Sequence, residues 1–259
     1  MQSPPAPVFG SVRTSFPVRP SSSSTTVQTL GGGAPSSVAG ASTSSRVRRN
    51  LYNTASSLLA QVGAILLFLY VFSRIMATDV IFFSGHIGLN NFAVLMMVQS
   101  IILVQPTIAT AEKQLGATVH GIFNVFGAVC LFGSFAIVVL NKIANGGTHF
   151  HSAHARIGLF AYIVLFVNIA IGMTQYWMPA LYGSSTRAKS MYKYHRVLGY
   201  FALLLSFITT LVATTTDYNK NVLHARVTIL LAFVIITAIG LAVRIRPSKF
   251  QFNWKSRRQ

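Results

Sequence analysis

VIFFSGHIGLNNFAVLMMVQSIILVQPTIATA, the stretch from residue 80 to residue 111, contains no charged side chain. Further uncharged runs cover residues 50–73, 114–141, 157–186, 197–216 and 227–243. A helix of about 20 apolar residues crosses a hydrocarbon core of about 30 Å, whereas a helix on the surface of a soluble protein carries charge on its exposed face. The sequence therefore predicts an all-α fold, a six-helix transmembrane bundle with spans near residues 54–73, 83–106, 116–140, 154–177, 195–216 and 223–244.

The basic residues are unevenly distributed along a chain that has a formal net charge of +18 and only three acids, Asp79, Glu112 and Asp217. Of the 21 Lys and Arg residues, sixteen precede the first span, follow the last, or lie in the second and fourth loops. Membrane proteins keep such residues on the cytosolic side. The sequence therefore predicts an integral membrane protein with both termini cytosolic, in a membrane that it does not identify. This placement explains the charge without a nucleic-acid partner.

Composition divides the chain into three parts. Residues 1–49 are rich in Ser, Pro and Gly and are expected to form a disordered cytosolic tail. Residues 50–246 make up the six-span membrane domain, and residues 247–259 a basic cytosolic tail. The single cysteine, Cys130, lies within a span, where it is expected to act as a small apolar side chain.

Four histidines, His86, His120, His154 and His195, lie near the starts of spans 2–5. Because successive spans are antiparallel, His86 and His154 share the non-cytosolic side, and His120 and His195 share the cytosolic side. Ionisable side chains at membrane depth are costly and usually functional, and two facing histidines can supply both axial ligands of a haem iron. We therefore expect spans 2–5, the inner four helices, to hold two bis-histidine haems that carry electrons. A proton relay or a packed polar residue is the alternative for any single histidine.

A local repeat links two of these histidines. Residues 154–162 read HARIGLFAY and residues 195–203 read HRVLGYFAL, so that Gly158 and Gly199 each follow a histidine by four residues. Each glycine lies on the same helix face as its histidine and removes a side chain that would block a flat cofactor. The alternative is that these glycines serve helix packing in lipid.

Three other histidines compete for the role of ligand. His149 and His151 precede the fourth span, and His224 opens the sixth. His151 could replace His154, because it lies three residues away on the same face. The repeat favours His154.

Four segments resemble the cytochrome b561 transmembrane electron carriers, in particular the small fungal-type and domain-containing members. They are SGHIGLNNFAVLMMVQSIILVQPT, GATVHGIFNV, NKIANGGTHFHSAHARIGL and YKYHRVLGY. The resemblance implies a six-helix bundle with two b-type haems, ligated by His86 with His154 and by His120 with His195. It also implies an oxidoreductase that moves electrons from cytosolic ascorbate to monodehydroascorbate or a ferric chelate on the opposite side. A lipid bilayer and a second copy of the chain, as a homodimer, complete the expected partners.

Two departures from the family pattern bear on the electron donor. Ile87 follows the first haem histidine, where many members have Pro, and the stretch leading into the third span offers only Lys113 as a cation. An anionic donor would then depend on Lys113 with Lys189, Lys193 and Arg196 of the facing loop. Their alternative role is purely topological. Arg156 and Arg196 follow ligand histidines and could instead pair with haem propionates.

The loop before the fourth span offers a candidate acceptor site. Thr148, His149 and His151 lie close to His154 in sequence, and imidazole is a ligand for iron. The alternative is a pair of solvated loop histidines. Two other functions stay open on the residues alone: a haem-bearing relay subunit of a larger membrane complex, and a haem-free six-span transporter or scaffold.

Overall fold

The computed structural model describes residues 38–105 and 110–245, and the side chains of residues 53–105 and 113–245. Every regular element in these ranges is helical, which confirms the predicted all-α class. The long helices are α1 (Val38–Met76), α2 (Ser84–Val104), α3 (Thr110–Ala144), α4 (Ala153–Trp177), α5 (Ser185–Val212) and α6 (Val227–Ala242). Short helical turns occupy Pro179–Tyr182, Ala213–Thr215 and Asn219–Leu223. Backbone contacts divide the chain into two units, residues 1–43 and residues 44–259.

Both expected tails fall largely outside the described residues. Of the expected tail at residues 1–49, the structure describes only the part from residue 38, where α1 begins. The tail expected at residues 247–259 lies entirely outside.

In the part of the chain that the structure describes, five helical segments are long and apolar enough to cross a membrane: Asn53–Met76, Ser84–Val104, Lys113–Ala144, Ala153–Trp177 and Ser185–Thr215. Helix α6, at 16 residues, is shorter. A helix rises about 1.5 Å per residue, so α6 spans about 24 Å. The protein is therefore an integral membrane protein.

The four central helices form two antiparallel hairpins. Helix α2 packs chiefly on α3, and α4 packs chiefly on α5. Contacts between the hairpins are much fewer and join α2 to α5 and α3 to α4. This leaves space between the hairpins, and the site described below occupies it.

Helices α1 and α6 approach each other closely through small residues. A Cβ atom on Gly240 would lie 2.4 Å from the backbone nitrogen of Ala60, and one on Gly63 would lie 2.7 Å from the backbone nitrogen of Thr237. Small residues of this kind let helix backbones approach in lipid, where no hydrophobic effect drives the helices together.

Helices α3 and α5 begin earlier than predicted, and this corrects the location of several cations. The Ser184 hydroxyl caps α5 by accepting a hydrogen bond from the Arg187 amide, at 3.2 Å. Arg187, Lys189 and Lys193 therefore lie in the first turns of α5 and not in a loop, and Lys113 lies in the first turn of α3. Long basic side chains continue such helices because their apolar stems pack while their charges reach the aqueous boundary.

Helix α6 begins later than predicted. His224 adopts a left-handed backbone conformation with φ 53°. The Asn219 side chain bonds the backbone of Ala225 in both directions. This turn separates His224 from α6, so the prediction that His224 opens the last helix is wrong.

Candidate functional site

The structure brings the four predicted histidines together in two facing pairs. The ring centres of His86 and His154 are 6.4 Å apart, and those of His120 and His195 are 6.2 Å apart. The ring planes are nearly perpendicular within each pair, at 89° and 85°. Two iron–nitrogen bonds of about 2 Å, with about 1.2 Å from each ring nitrogen to its ring centre, would place ring centres about 6.4 Å apart. Both pairs therefore have the spacing of histidines on opposite faces of one haem.

Each histidine ring is oriented by a backbone carbonyl of the neighbouring helix in its hairpin. The four Nδ1–carbonyl distances are 3.0–3.1 Å and join His86 to Ser134, His120 to Ser100, His154 to Thr209 and His195 to Asn168. In every case the acceptor lies 14 residues after the histidine of its own helix, so the bonds are reciprocal within each hairpin. A histidine that donates Nδ1–H presents Nε2 as a metal ligand.

Each histidine pair opens into its own cavity between the hairpins. The 86/154 cavity, which contains His86 and His154, measures about 590 Å³, and the 120/195 cavity, which contains His120 and His195, about 880 Å³. Ligand sites typically measure about 300–1,000 Å³ and are mostly apolar. The buried side chains of Met97 and Leu165 line both cavities, so they form the wall between them.

A family comparison agrees with this geometry. The family model for eukaryotic cytochrome b561 matches residues 86–220, slightly more than half of the chain. The chain belongs to the eukaryotic cytochrome b561 family. Membership implies a membrane protein that carries b-type haem and transfers electrons as an oxidoreductase. No curated protein sequence matches the chain.

The residues present fit the haem of the cytochrome b561 family. The paired histidine rings have the required spacing, their Nδ1 atoms are already engaged, and the cavity walls are mostly apolar. Gly158 lines the 86/154 cavity, and Gly199 and Gly121 line the 120/195 cavity. A Cβ atom on Gly199 would also lie 3.1 Å from Asn168 Nδ2. Gly199 therefore combines the two roles considered from the sequence, clearance for a cofactor and close helix packing.

The 120/195 cavity has a basic rim. Lys113 and Arg196 line it, whereas Lys189 and Lys193 are not among its lining residues in the described part of the chain. The Lys193 ammonium lies 5.2 Å from the centre of the Tyr194 ring.

A buried arginine also lines the 120/195 cavity. Arg244 is 7% exposed, and its Nε atom donates a 2.9 Å hydrogen bond to Gln105 Oε1. It also donates to the carbonyls of Asn53 and Ile102. Gln105 in turn donates to the Tyr200 hydroxyl at 2.9 Å. These hydrogen bonds join Arg244, which follows α6, to α1 and α2, and Gln105 extends the network to Tyr200 of α5 beside the cavity.

The 86/154 cavity has a more mixed rim. Lys142, Thr148, His149, His151 and Asp217 line it. Among the side chains that the structure describes, no three His, Cys, Asp or Glu residues form a group that could hold a metal ion. Exposed His151 lies at the rim, whereas the His154 ring faces His86. Arg156 is exposed and is not among the residues described as lining this cavity.

Sequence reasoning missed Gly172. A Cβ atom at this position would lie 2.7 Å from Cε1 of His195, so that only glycine leaves room for the ring. The Tyr162 hydroxyl, which donates to Asn90 Oδ1 at 2.7 Å next to His86, was also missed. Neither position has a local sequence signal, because each depends on which helix lies opposite.

Proposed function

We propose that this protein transfers single electrons across a membrane through two b-type haems, one held by His86 and His154 and the other by His120 and His195. The observation that supports this proposal best is the set of four Nδ1–carbonyl bonds, which leave four Nε2 atoms available in two facing pairs. A b-type haem supplies a one-electron iron centre, and with two histidine ligands it has no open position for oxygen.

The protein contributes orientation and insulation to this transfer. Backbone carbonyls hold each ring through Nδ1, and mostly apolar walls surround the rings. His86 lies on the same helix as the Ser100 carbonyl that orients His120, 14 residues away. At about 1.5 Å per residue, the two sites are separated by about 21 Å along α2. Met97 and Leu165 occupy the space between the cavities, so the electron path across the bundle needs no large motion of the chain.

The proposed topology has six spans with both termini in the cytosol. It makes the 120/195 site cytosolic and the 86/154 site non-cytosolic. The concentration of Lys and Arg at one side of the predicted spans supports this orientation. Helix α6 completes the bundle as a short sixth span, packed tightly on α1 through Gly240.

The proposed electron donor is ascorbate or a similar small anionic reductant. Lys113 and Arg196 at the rim of the 120/195 cavity provide positive charge where an anion would approach. Lys193 is a weaker candidate, because it is not among the residues described as lining the cavity.

The proposed acceptor is monodehydroascorbate or a ferric chelate at the 86/154 side. Lys142, His149 and His151 line that rim and suit an anionic acceptor or chelate. A chelate brings its own hard oxygen ligands for Fe³⁺, and the two histidines alone would not supply these. A homodimer remains part of the proposal on the basis of the family resemblance.

Histidine substitutions test the haem assignment. We expect the purified full-length protein to contain two low-spin b-type haems per chain. His86→Ala and His154→Ala should each remove chiefly one haem, and His120→Ala and His195→Ala chiefly the other. The measurements are the haem-to-protein ratio and the reduced-minus-oxidised spectrum of each variant. Loss of the same haem in His86→Ala and His120→Ala would contradict the pairing.

Reduction by ascorbate separates this function from that of a relay subunit. The purified protein should be reduced by ascorbate alone, with no partner protein present. Haem that stays oxidised under these conditions would favour a subunit that depends on a larger complex.

A further inference from the structure

The two histidine sites are related by an internal repeat, so differences between them are informative. The pair α2 and α4 at the 86/154 site corresponds to the pair α3 and α5 at the 120/195 site. Under this correspondence His86 matches His120, and Ser134, the acceptor for His86, matches Ser100, the acceptor for His120. Both serines are fully buried, at 0% and 1% exposure. The backbone groups that orient His86 and His120 are therefore equivalent at the two sites.

The two serine hydroxyls differ in what they contact. The Ser100 hydroxyl donates to the Met97 carbonyl at 2.8 Å, away from the histidine. The Ser134 hydroxyl lies 3.0 Å from His86 Nδ1 and donates to the His86 carbonyl at 2.9 Å. A hydroxyl has a single hydrogen, so its contact with Nδ1 must be one in which the ring N–H donates. His86 Nδ1–H therefore has two acceptors, the Ser134 carbonyl and the Ser134 hydroxyl.

Among the described residues, His154 and His195 have no such second acceptor. The Thr209 hydroxyl, next to His154, donates to the Leu205 carbonyl at 2.8 Å. The Asn168 side chain, next to His195, has an amide oxygen without a hydrogen-bond partner among the described residues. His86 alone among the four ligand histidines is bonded by both the backbone and the side chain of its acceptor residue.

A short hydrogen-bond chain holds the Ser134 hydroxyl in place. Asn90 donates through Nδ2 to this hydroxyl and to the His86 carbonyl. The Tyr162 hydroxyl donates to Asn90 Oδ1 at 2.7 Å. Asn124 occupies the matching position beside His120 and donates to the His120 carbonyl at 2.7 Å. The residue that matches Tyr162, eight residues after its histidine, is Leu203, which cannot donate. The complete hydrogen-bond chain is therefore present at the 86/154 site and is not repeated at the 120/195 site.

We propose that Ser134, Asn90 and Tyr162 are positioning residues that make His86 a stronger electron donor to iron and lower the redox potential of the 86/154 haem alone. This inference rests on the proposed function. Hydrogen bonding at Nδ1–H raises the basicity of a ligating histidine, and a more basic ligand stabilises the ferric state, which carries the higher charge. The two haem sites are therefore inequivalent because of a side-chain hydroxyl, although their backbones match.

Ser134→Ala tests the proposal in the purified, full-length protein, with Ser100→Ala as the matched control. Both variants keep the backbone carbonyl that orients the histidine. Potentiometric titration followed in the visible spectrum gives two midpoint potentials, and the one that disappears in His154→Ala belongs to the 86/154 site. Ser134→Ala should raise that potential, with a change of about two- to ten-fold in the reduced-to-oxidised ratio, the size of one hydrogen bond. Ten-fold corresponds to about 59 mV for one electron. Ser100→Ala should shift neither potential.

Tyr162→Phe is the second variant, because it removes only the hydroxyl that fixes Asn90. It should shift the same potential in the same direction by a smaller amount. Unchanged potentials in both Ser134→Ala and Tyr162→Phe would overturn the proposal, and so would an equal shift in Ser100→Ala. If the Ser134→Ala protein does not retain the 86/154 haem, the potential of this haem in Tyr162→Phe protein is the test. An unchanged potential in Tyr162→Phe then overturns the proposal. Fewer than two haems in the unaltered protein would instead count against the proposed function.

Discussion

Gly172→Ala should weaken haem binding at the 120/195 site selectively. The new Cβ atom would lie 2.7 Å from His195 Cε1, 3.3 Å from Nδ1 and 3.4 Å from Nε2. Carbon atoms in contact are normally about 3.5–4.0 Å apart, so the ring would have to move by about 1 Å. Metal–ligand distances tolerate only about 0.2 Å. The substitution therefore displaces the ring of the proposed ligand His195, although Gly172 is not itself a proposed ligand.

The size of the effect follows from the cost of overpacking. Extra methyl groups in packed interiors typically cost about 1–3 kcal/mol. If this cost falls on the haem-bound state, haem affinity at that site drops by about 5- to 150-fold, since each 1.4 kcal/mol is about ten-fold. The 86/154 site, on the other side of Met97 and Leu165, should be unaffected.

The assay is the haem-to-protein ratio of purified Gly172→Ala protein, together with its reduced-minus-oxidised spectrum. We expect the ratio to fall from two toward one, with the spectrum of the 86/154 haem retained. Gly127→Ala is the matched control, because a Cβ atom there would make ordinary contacts, 3.7 Å from Met96 Cβ. Two haems with unchanged spectra in Gly172→Ala would refute the reasoning, as would an equal loss in Gly127→Ala.

Two further predictions concern the donor rim and the outer helices. Lys113→Gln should slow reduction by ascorbate by about two- to five-fold, the scale of an exposed ion pair, and Lys193→Gln should not. Stopped-flow reduction at several salt concentrations checks this, since the difference should shrink as salt screens charges over about 8–10 Å; equal slowing in both variants would return Lys113 to a topological role. Gly240→Ala should lower the thermal unfolding midpoint, because its Cβ atom would lie 2.4 Å from the Ala60 nitrogen and would force α6 away from α1, at a cost of about 1–3 kcal/mol. Gly88→Ala, whose Cβ atom would lie 3.9 Å from its nearest neighbour, is the control, and equal melting of the two variants would contradict this account.

The sequence was sufficient to predict the long membrane helices, because a hydrocarbon environment imposes uncharged runs that are visible in composition. It was less reliable at helix ends. Helix α5 begins at Ser185, ten residues before the predicted start, because a serine cap and basic side chains extend it beyond the apolar core. Helix α6 begins late because His224 takes a left-handed conformation that its sequence does not signal.

The register of the four histidines was also readable, since antiparallel helices of known length fix which histidines share a side. The groups that orient the histidine rings could not be predicted from the sequence. They are backbone carbonyls, which every residue has, and only the packing of one helix on another selects Ser134 or Asn168 as the acceptor. Gly172 illustrates the same limit, because its role depends on the His195 ring of the opposite helix.

The helices that these two kinds of contact connect have a consequence for how the protein is assembled. The Nδ1–carbonyl bonds join helices of the same hairpin, whereas the facing histidine pairs join one hairpin to the other. Each hairpin can therefore be inserted into the membrane with its two rings already oriented, before any cofactor arrives. In the proposed function, each haem would then join the two hairpins through one histidine from each.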